Sequence, residues 1–151
     1  MRLNFGKDCQ IIRVHAPVAA GAADITDCSV VDTAGFDSLC YIVGFGAIVA
    51  GAATSLKAQQ ANDSGGSPDD FSDVAGTAIT VGDDQDNKLV YLDLHRPQKR
   101  YSKLIISRAT QNSTVDLVLA VLYNANVHPV TQGATVMAVS ETHMGNAEGT
   151  A

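Results

Sequence analysis

The chain has no tryptophan, glutamate only at positions 141 and 148, and no lysine or arginine after Arg108. Each shortage excludes something. With four Tyr and four Phe in 151 residues, the aromatic platform on which single-stranded nucleic acid stacks is missing. The histidines stand at 15, 95, 128 and 143, no two closer than 15 residues, and both glutamates lie in the C-terminal stretch. A metal enzyme of the β-barrel type needs clustered His and Glu on neighbouring strands, so no metal is expected. The cysteines, Cys9, Cys28 and Cys40, are odd in number, and their spacings of 19 and 12 match no zinc-binding pattern. They read as idle thiols in a reducing cytoplasm. No apolar run reaches the roughly 20 residues of a membrane span. The nearest, "LCYIVGFGAIVAGAA" at 39–53, is broken by Gly44, Gly46 and Gly51. No membrane partner is expected.

Catalytic and cofactor motifs are missing too. "GFGAIVAG" places Val49 where a dinucleotide fingerprint requires its third glycine, and no Gly-x-Ser-x-Gly elbow occurs. The expectation is a non-enzyme without a cofactor, and close approach between strands is the plainer reason for Gly44 and Gly46.

What the chain does have is β-type patterning. Short apolar runs and alternation mark eight strands: 9–15, 27–32, 39–49, 54–61, 78–81, 88–94, 100–109 and 114–125. In "KLVYLDL" the alternation sends Leu89, Tyr91 and Asp93 one way and Val90, Leu92 and Leu94 the other. Residues 33–38 read as a turn, 62–70 as a loop, and 69–77 as one helical turn with Phe71 and Val74 pointing inward. Parallel sheets need long crossover helices, for which there is no room. The expected fold is all-β: an antiparallel sandwich, jelly-roll-like, over residues 1–125, with an extended C-terminal arm over 126–151. The arm's one apolar run, Val136, Met137 and Val139, suits a neighbouring subunit.

Net charge is −6, and it is unevenly placed. Seven aspartates and no base lie in 61–86, whereas five bases and no acid lie in 95–108. A protein this acidic is a poor partner for nucleic acid. "DDQDN" at 83–87 could offer oxygen ligands to calcium but lacks the EF-hand spacing, and reads as a solvated turn. The basic stretch "HRPQKRYSKLIISRAT" opens with a loop and runs into a central strand whose charged ends emerge at the rim. Arg96, Lys99, Arg100 and Lys103 are therefore candidates for contact with acidic loops, on this chain or on a neighbour.

Four segments carry a resemblance to a known family: "VVDTAGFDSLCYIVGFGAI", "TSLKAQQANDSGGSPDDFSDVAGTAITV", "DDQDNKLVYLDLHRPQKRYSKLIISRAT" and "LVLAVLYNA". Their layout, across roughly residues 25–130, resembles the small head decoration (cement) proteins of tailed bacteriophages. The resemblance implies a jelly-roll protein made in the bacterial cytoplasm and bound to the outer surface of an icosahedral capsid. It implies bridging of major capsid protein subunits and self-association as a homodimer or homotrimer. The N-terminal segment and the arm match least. From a different class, a carbohydrate-binding sandwich displayed on a virion is the alternative.

Overall fold

The computed structural model describes residues 4–143, 145 and 149. The end of the arm, including Glu148, otherwise lies outside the described residues. A four-residue helical turn, α1 (Phe5–Asp8), precedes twelve strands: β1 (Gln10–His15), β2 (Val18–Gly21), β3 (Val31–Asp32), β4 (Phe36–Ile48), β5 (Ala53–Ala61), β6 (Asp63–Ser64), β7 (Ser67–Pro68), β8 (Ser72–Asp73), β9 (Ile79–Val81), β10 (Leu89–His95), β11 (Tyr101–Ala109) and β12 (Ser113–Ala125).

Two antiparallel sheets form the body. The first, sheet A, runs β1-β12-β4-β10, with β2 continuing β1 along the same edge of β12. The second, sheet B, runs β3-β11-β5-β8, with β9 also on β5. If β1 with β2, and β8 with β9, each count as one position, the chain has eight positions ordered 1-8-3-6 and 2-7-4-5. The first position pairs with the last, the second with the seventh, the third with the sixth, and the fourth with the fifth. The chain is thus one long antiparallel hairpin, rolled up so that its two halves close on a core.

That core follows from alternation. Leu39, Tyr41, Val43 and Phe45 of β4, with Val118, Ala120 and Leu122 of β12, face Leu56 and Ala58 of β5 and Leu104 and Ile106 of β11, all at most 2 % exposed. Burying a large aliphatic or aromatic side chain contributes about 1.5–3 kcal/mol. Ala120 is the register partner of Tyr41, so a small residue stands beside the largest one. The Tyr41 hydroxyl donates across the sandwich to Ser102 Oγ at 3.0 Å, which donates onward to the Gln59 carbonyl at 3.1 Å. A buried phenol needs such an acceptor. β11 lies between β3 and β5 with both of its faces largely buried, as its pattern requires.

Four local expectations are corrected. In 27–32 only Val31–Asp32 is strand, and before it the chain crosses between sheets, touching β11 through the Ile25–Ile106 bridge. Residues 33–38 are not all turn. The turn ends at Gly35, whose φ of 88° needs glycine, and β4 starts at Phe36 because that residue pairs with Ala125 of β12. The helical turn at 69–77 is absent among the described residues. Asp73 is drawn into β8 by Lys57 Nζ at 2.6 Å and Gln59 Nε2 at 2.8 Å, both on β5. Val74 packs on the core, while Phe71 lies half-buried beneath Lys103. The 62–70 loop contains a small ribbon, β6 with β7, folded at Gly65 and Gly66. The strand β2 and the turn α1 had no expectation in the sequence.

Candidate interaction surfaces

Arg96, Lys99 and Arg100 flank or occupy the β10–β11 loop, at the sandwich end that also carries the 33–35 turn and the exit of β12. The Arg96 N–H donates to the Asp37 carbonyl at 2.9 Å, and the Thr33 N–H and Oγ1 both donate to the Arg100 carbonyl, at 2.9 and 2.7 Å. Arg96 holds the left-handed region at φ 53°, uncommon for a non-glycine residue. Its side chain points to solvent, and among the described residues neither Arg96 nor Lys99 enters an ion pair.

Arg100 is different. Its fork grips Asp32 through Nε at 2.9 Å and Nη2 at 2.8 Å, and Nη1 reaches Asp63 at 2.6 Å. It also lies 5.0 Å from the centre of the Tyr101 ring. Arg100 thus ties β3 to the β6–β7 ribbon, and these hydrogen bonds hold the Asp32 carboxyl below its ordinary range. The aspartate-rich segment does complement the basic stretch, within one chain and through this residue. Lys103 stands apart on the outer face of sheet B, 5.9 Å over the Phe71 ring.

Arg108 corrects the expectation of charged strand ends at the rim. It is 5 % exposed. Its Nε donates to the Ala23 carbonyl at 2.8 Å, and Nη1 to the carbonyls of Ala19 at 3.0 Å and Ser113 at 2.8 Å. Its backbone N–H meets Asp24 at 2.8 Å. It is a structural clasp for the 19–24 segment.

The arm folds back onto its own chain. The Gln132 side chain accepts from the Ile11 N–H at 3.0 Å and donates to the Cys9 carbonyl at 2.6 Å, standing in for a strand at the open edge of β1. The Val130 N–H donates to the Lys7 carbonyl at 2.7 Å, and His128 Nδ1 lies 3.1 Å from Asp8. Val136 and Val139 stay 37 % and 72 % exposed, while Met137 is half-buried. Met137 and Val139 share a groove of about 460 Å³ with Phe5 and Ile11. The candidate residues therefore fall into three places: the loop, the sheet B face and the arm.

At the opposite end, "DDQDN" is a turn held by its own side chains. Asp83 accepts from the Gly51 N–H at 2.6 Å, and Gln85 Nε2 donates to Asp84 at 3.2 Å. Among the described residues no three of His, Cys, Asp and Glu converge so as to hold a metal ion. The thiols of Cys9, Cys28 and Cys40 are free, and burial raises the pKa of each, for Cys28 to about 11. The apolar run at 39–53 forms β4 and the turn after it; among the described residues no helix is long and apolar enough to cross a membrane.

One surface escaped the sequence reading. The outer face of sheet A is apolar across several strands. Register aligns Leu89, Gly44 and Leu117 in one row, then Tyr91, Ile42, Leu119 and Arg13, then Asp93, Cys40, Val121 and Ile11. Leu89 is 69 % and Tyr91 71 % exposed. A Cβ on Gly44 would lie 3.2 Å from Leu117 Cβ and 3.3 Å from Leu89 Cδ2, so this glycine lets two leucines from flanking strands close over the sheet. The available signal was that β4, β10 and β12 are apolar on both faces, whereas a solvated outer face alternates with polar residues.

No family model, no curated protein and no solved structure matches the chain.

Proposed function

We propose that this chain is a structural virion protein that binds the outside of an icosahedral phage capsid and stabilises it by bridging major capsid protein subunits. The observation that carries the reading is the rolled-hairpin strand order, 1-8-3-6 over 2-7-4-5. Two Greek keys wrapped in this way make a jelly roll, an architecture recurrent in viral shell proteins and lectins. The likeness of layout to head decoration proteins favours the first of these two uses. Stabilisation would act by mass action, because a protein that binds only the assembled shell makes that shell harder to disrupt. Weak contacts repeated over symmetric copies add avidity. Arg96 is the solvent-facing cation for the shell and Lys99 the half-buried, unpaired one beside it among the described residues, whereas Arg100 is committed to its own chain.

Co-sedimentation of the purified protein with empty expanded phage heads tests this. A fixed saturating stoichiometry, lowered by Arg96→Glu with Lys99→Glu, is expected. A protein that ignores every shell, or binds each without saturation, overturns the reading.

The carbohydrate alternative has one feature in its favour, a cleft of about 520 Å³ between β10 and the β8–β9 segment, with Gln60, Asp73, His95, Arg96 and Gln98 on its walls. These groups could hydrogen-bond hydroxyls, but the cleft has no aromatic floor. A blank glycan array would remove this reading.

A further inference from the structure

The sandwich leaves the two edges and two outer faces of its sheets in unequal states. The β1 edge is closed by Gln132. The outer face of sheet B is polar, with Lys57, Gln59 and Asp73 paired among themselves. The outer face of sheet A is the exception. It is apolar over three strands, and its far edge carries Leu89 and Tyr91, both more than two-thirds exposed.

We propose that the outer face of sheet A is the surface by which two copies of this chain associate, face to face about a two-fold axis running along the strands. Charge placement singles out a second copy. The patch carries Arg13 on its β1 edge and Asp93 on its β10 edge, where Asp93 also accepts from the Tyr123 hydroxyl at 2.7 and 3.0 Å, and Asp116 lies at one end over Gly46. A two-fold axis along the strands lays β10 of each copy over β1 of the other. Tyr91 then meets the Arg13 of the second copy, because both lie in the same register row. Asp93 lies one row away, about 7 Å along the strand, within an arginine side chain's reach. Each pairing occurs twice, as an isologous interface requires.

Size sets the strength. Four strands at about 4.8 Å and seven residues at about 3.4 Å give a face of roughly 19 by 24 Å, about 460 Å² in plan. That lies below the roughly 800 Å² per partner of a standard complex and fits a weak, reversible dimer. Aligned sheets pack about 10 Å apart, a gap that Leu89, Tyr91 and Leu117 from both sides can fill. Phe5, 51 % exposed, and Val139 flank the β1 side near Ile11 and extend the apolar surface.

This inference supplies a face for the self-association expected of a virion protein, yet it is tested without any shell, so either reading can fail alone. The full chain is followed by sedimentation over a range of concentrations. A reversible dimer is expected. Leu89→Lys and Tyr91→Glu should each raise its dissociation constant at least 30-fold with unchanged circular dichroism and melting, since both side chains are already exposed. Arg13→Asp should weaken the dimer about tenfold, and adding Asp93→Arg should restore it. A wild-type monomer at every concentration overturns the proposal. So does an oligomer indifferent to Leu89→Lys and Tyr91→Glu. A monomer whose shell binding is lost in those two variants would assign the face to the capsid instead, and would equally overturn it.

Discussion

Replacing Arg108 tests whether a buried cation can hold a loop through carbonyls alone. Its three side-chain hydrogen bonds end on Ala19, Ala23 and Ser113. At about 1.5–3 kcal/mol for each bond to a charged group, they would sum to roughly 4.5–9 kcal/mol. Two effects reduce that. Removing the guanidinium also removes the cost of its own desolvation. The Ala19 and Ala23 residues are exposed, so their carbonyls can regain water, whereas Ser113 is fully buried and its carbonyl cannot. Arg108→Met, which keeps the stem, should therefore cost about 3 kcal/mol. In urea, at about 2 kcal/mol per molar, the midpoint should fall by about 1.5 M. Arg108→Lys should lie between, since an ammonium keeps the charge without the fork. A midpoint shift below about 0.3 M for Arg108→Met would refute the clasp.

Four other outcomes are expected. Thr54 Oγ1 is buried without a partner, so Thr54→Val should stabilise by about 1 kcal/mol, and a loss in thermal denaturation would reveal a partner for that hydroxyl. Tyr41→Phe should cost about 1 kcal/mol at pH 7, and Ser102→Ala more, because it strands the phenol. Burial raises the Tyr41 pKa above its ordinary 10.0, so its contribution is complete below pH 10 and lost as pH rises through the folded value. Cys28 adds a similar loss between pH 9.0 and about 11, and Tyr41→Phe should flatten the upper part of this limb in urea titrations at stepped pH; an unchanged limb would contradict the assignment. At pH 8, iodoacetamide should leave Cys28 unmodified in the native protein, and mass-mapped labelling of it would contradict its burial. The Asp32 carboxyl is depressed by Arg100, so its stabilisation is present above pH 3.8 and lost as pH falls through the folded value. Arg100→Met should therefore make the acid limb shallower, and an unaltered acid titration would show that the pair contributes nothing.

The strand-level architecture was readable because burial imposes period two directly on the sequence. The alternation in β10 put Val90, Leu92 and Leu94 on one side and Leu89, Tyr91 and Asp93 on the other, and the structure turns the first set to the core. The central position of β11 was likewise visible in its doubly apolar middle. Where polar side chains decide, local pattern failed. Residues 69–77 carry an acceptable helix cap, but Asp73 gains more from Lys57 and Gln59 on a strand 14 to 16 residues earlier. Arg108 and Arg100 look alike in sequence, eight residues apart in one basic stretch, yet one is a buried clasp and the other an exposed pair with two aspartates. Apart from Ser113, five residues from Arg108, their partners lie 85 to 89 and 37 to 68 residues away, distances at which composition alone assigns nothing.

The same reasoning explains why the apolar outer face had to wait for the register. Its rows draw on β1, β4, β10 and β12, which are spread from Ile11 to Val121. In each strand alone, the outward apolar residues look like surplus core. "LCYIVGFGAI" in particular reads as a strand buried on both sides, the pattern of a central strand in a covered sheet. Burial on both sides is what the sequence encodes, and among the described residues sheet B covers one side while Leu89 and Tyr91 are left open on the other. The proposed second copy is the cover for that side. Arg13 and Asp93, placed at opposite edges of that face, give a second copy the means to supply it in a single orientation.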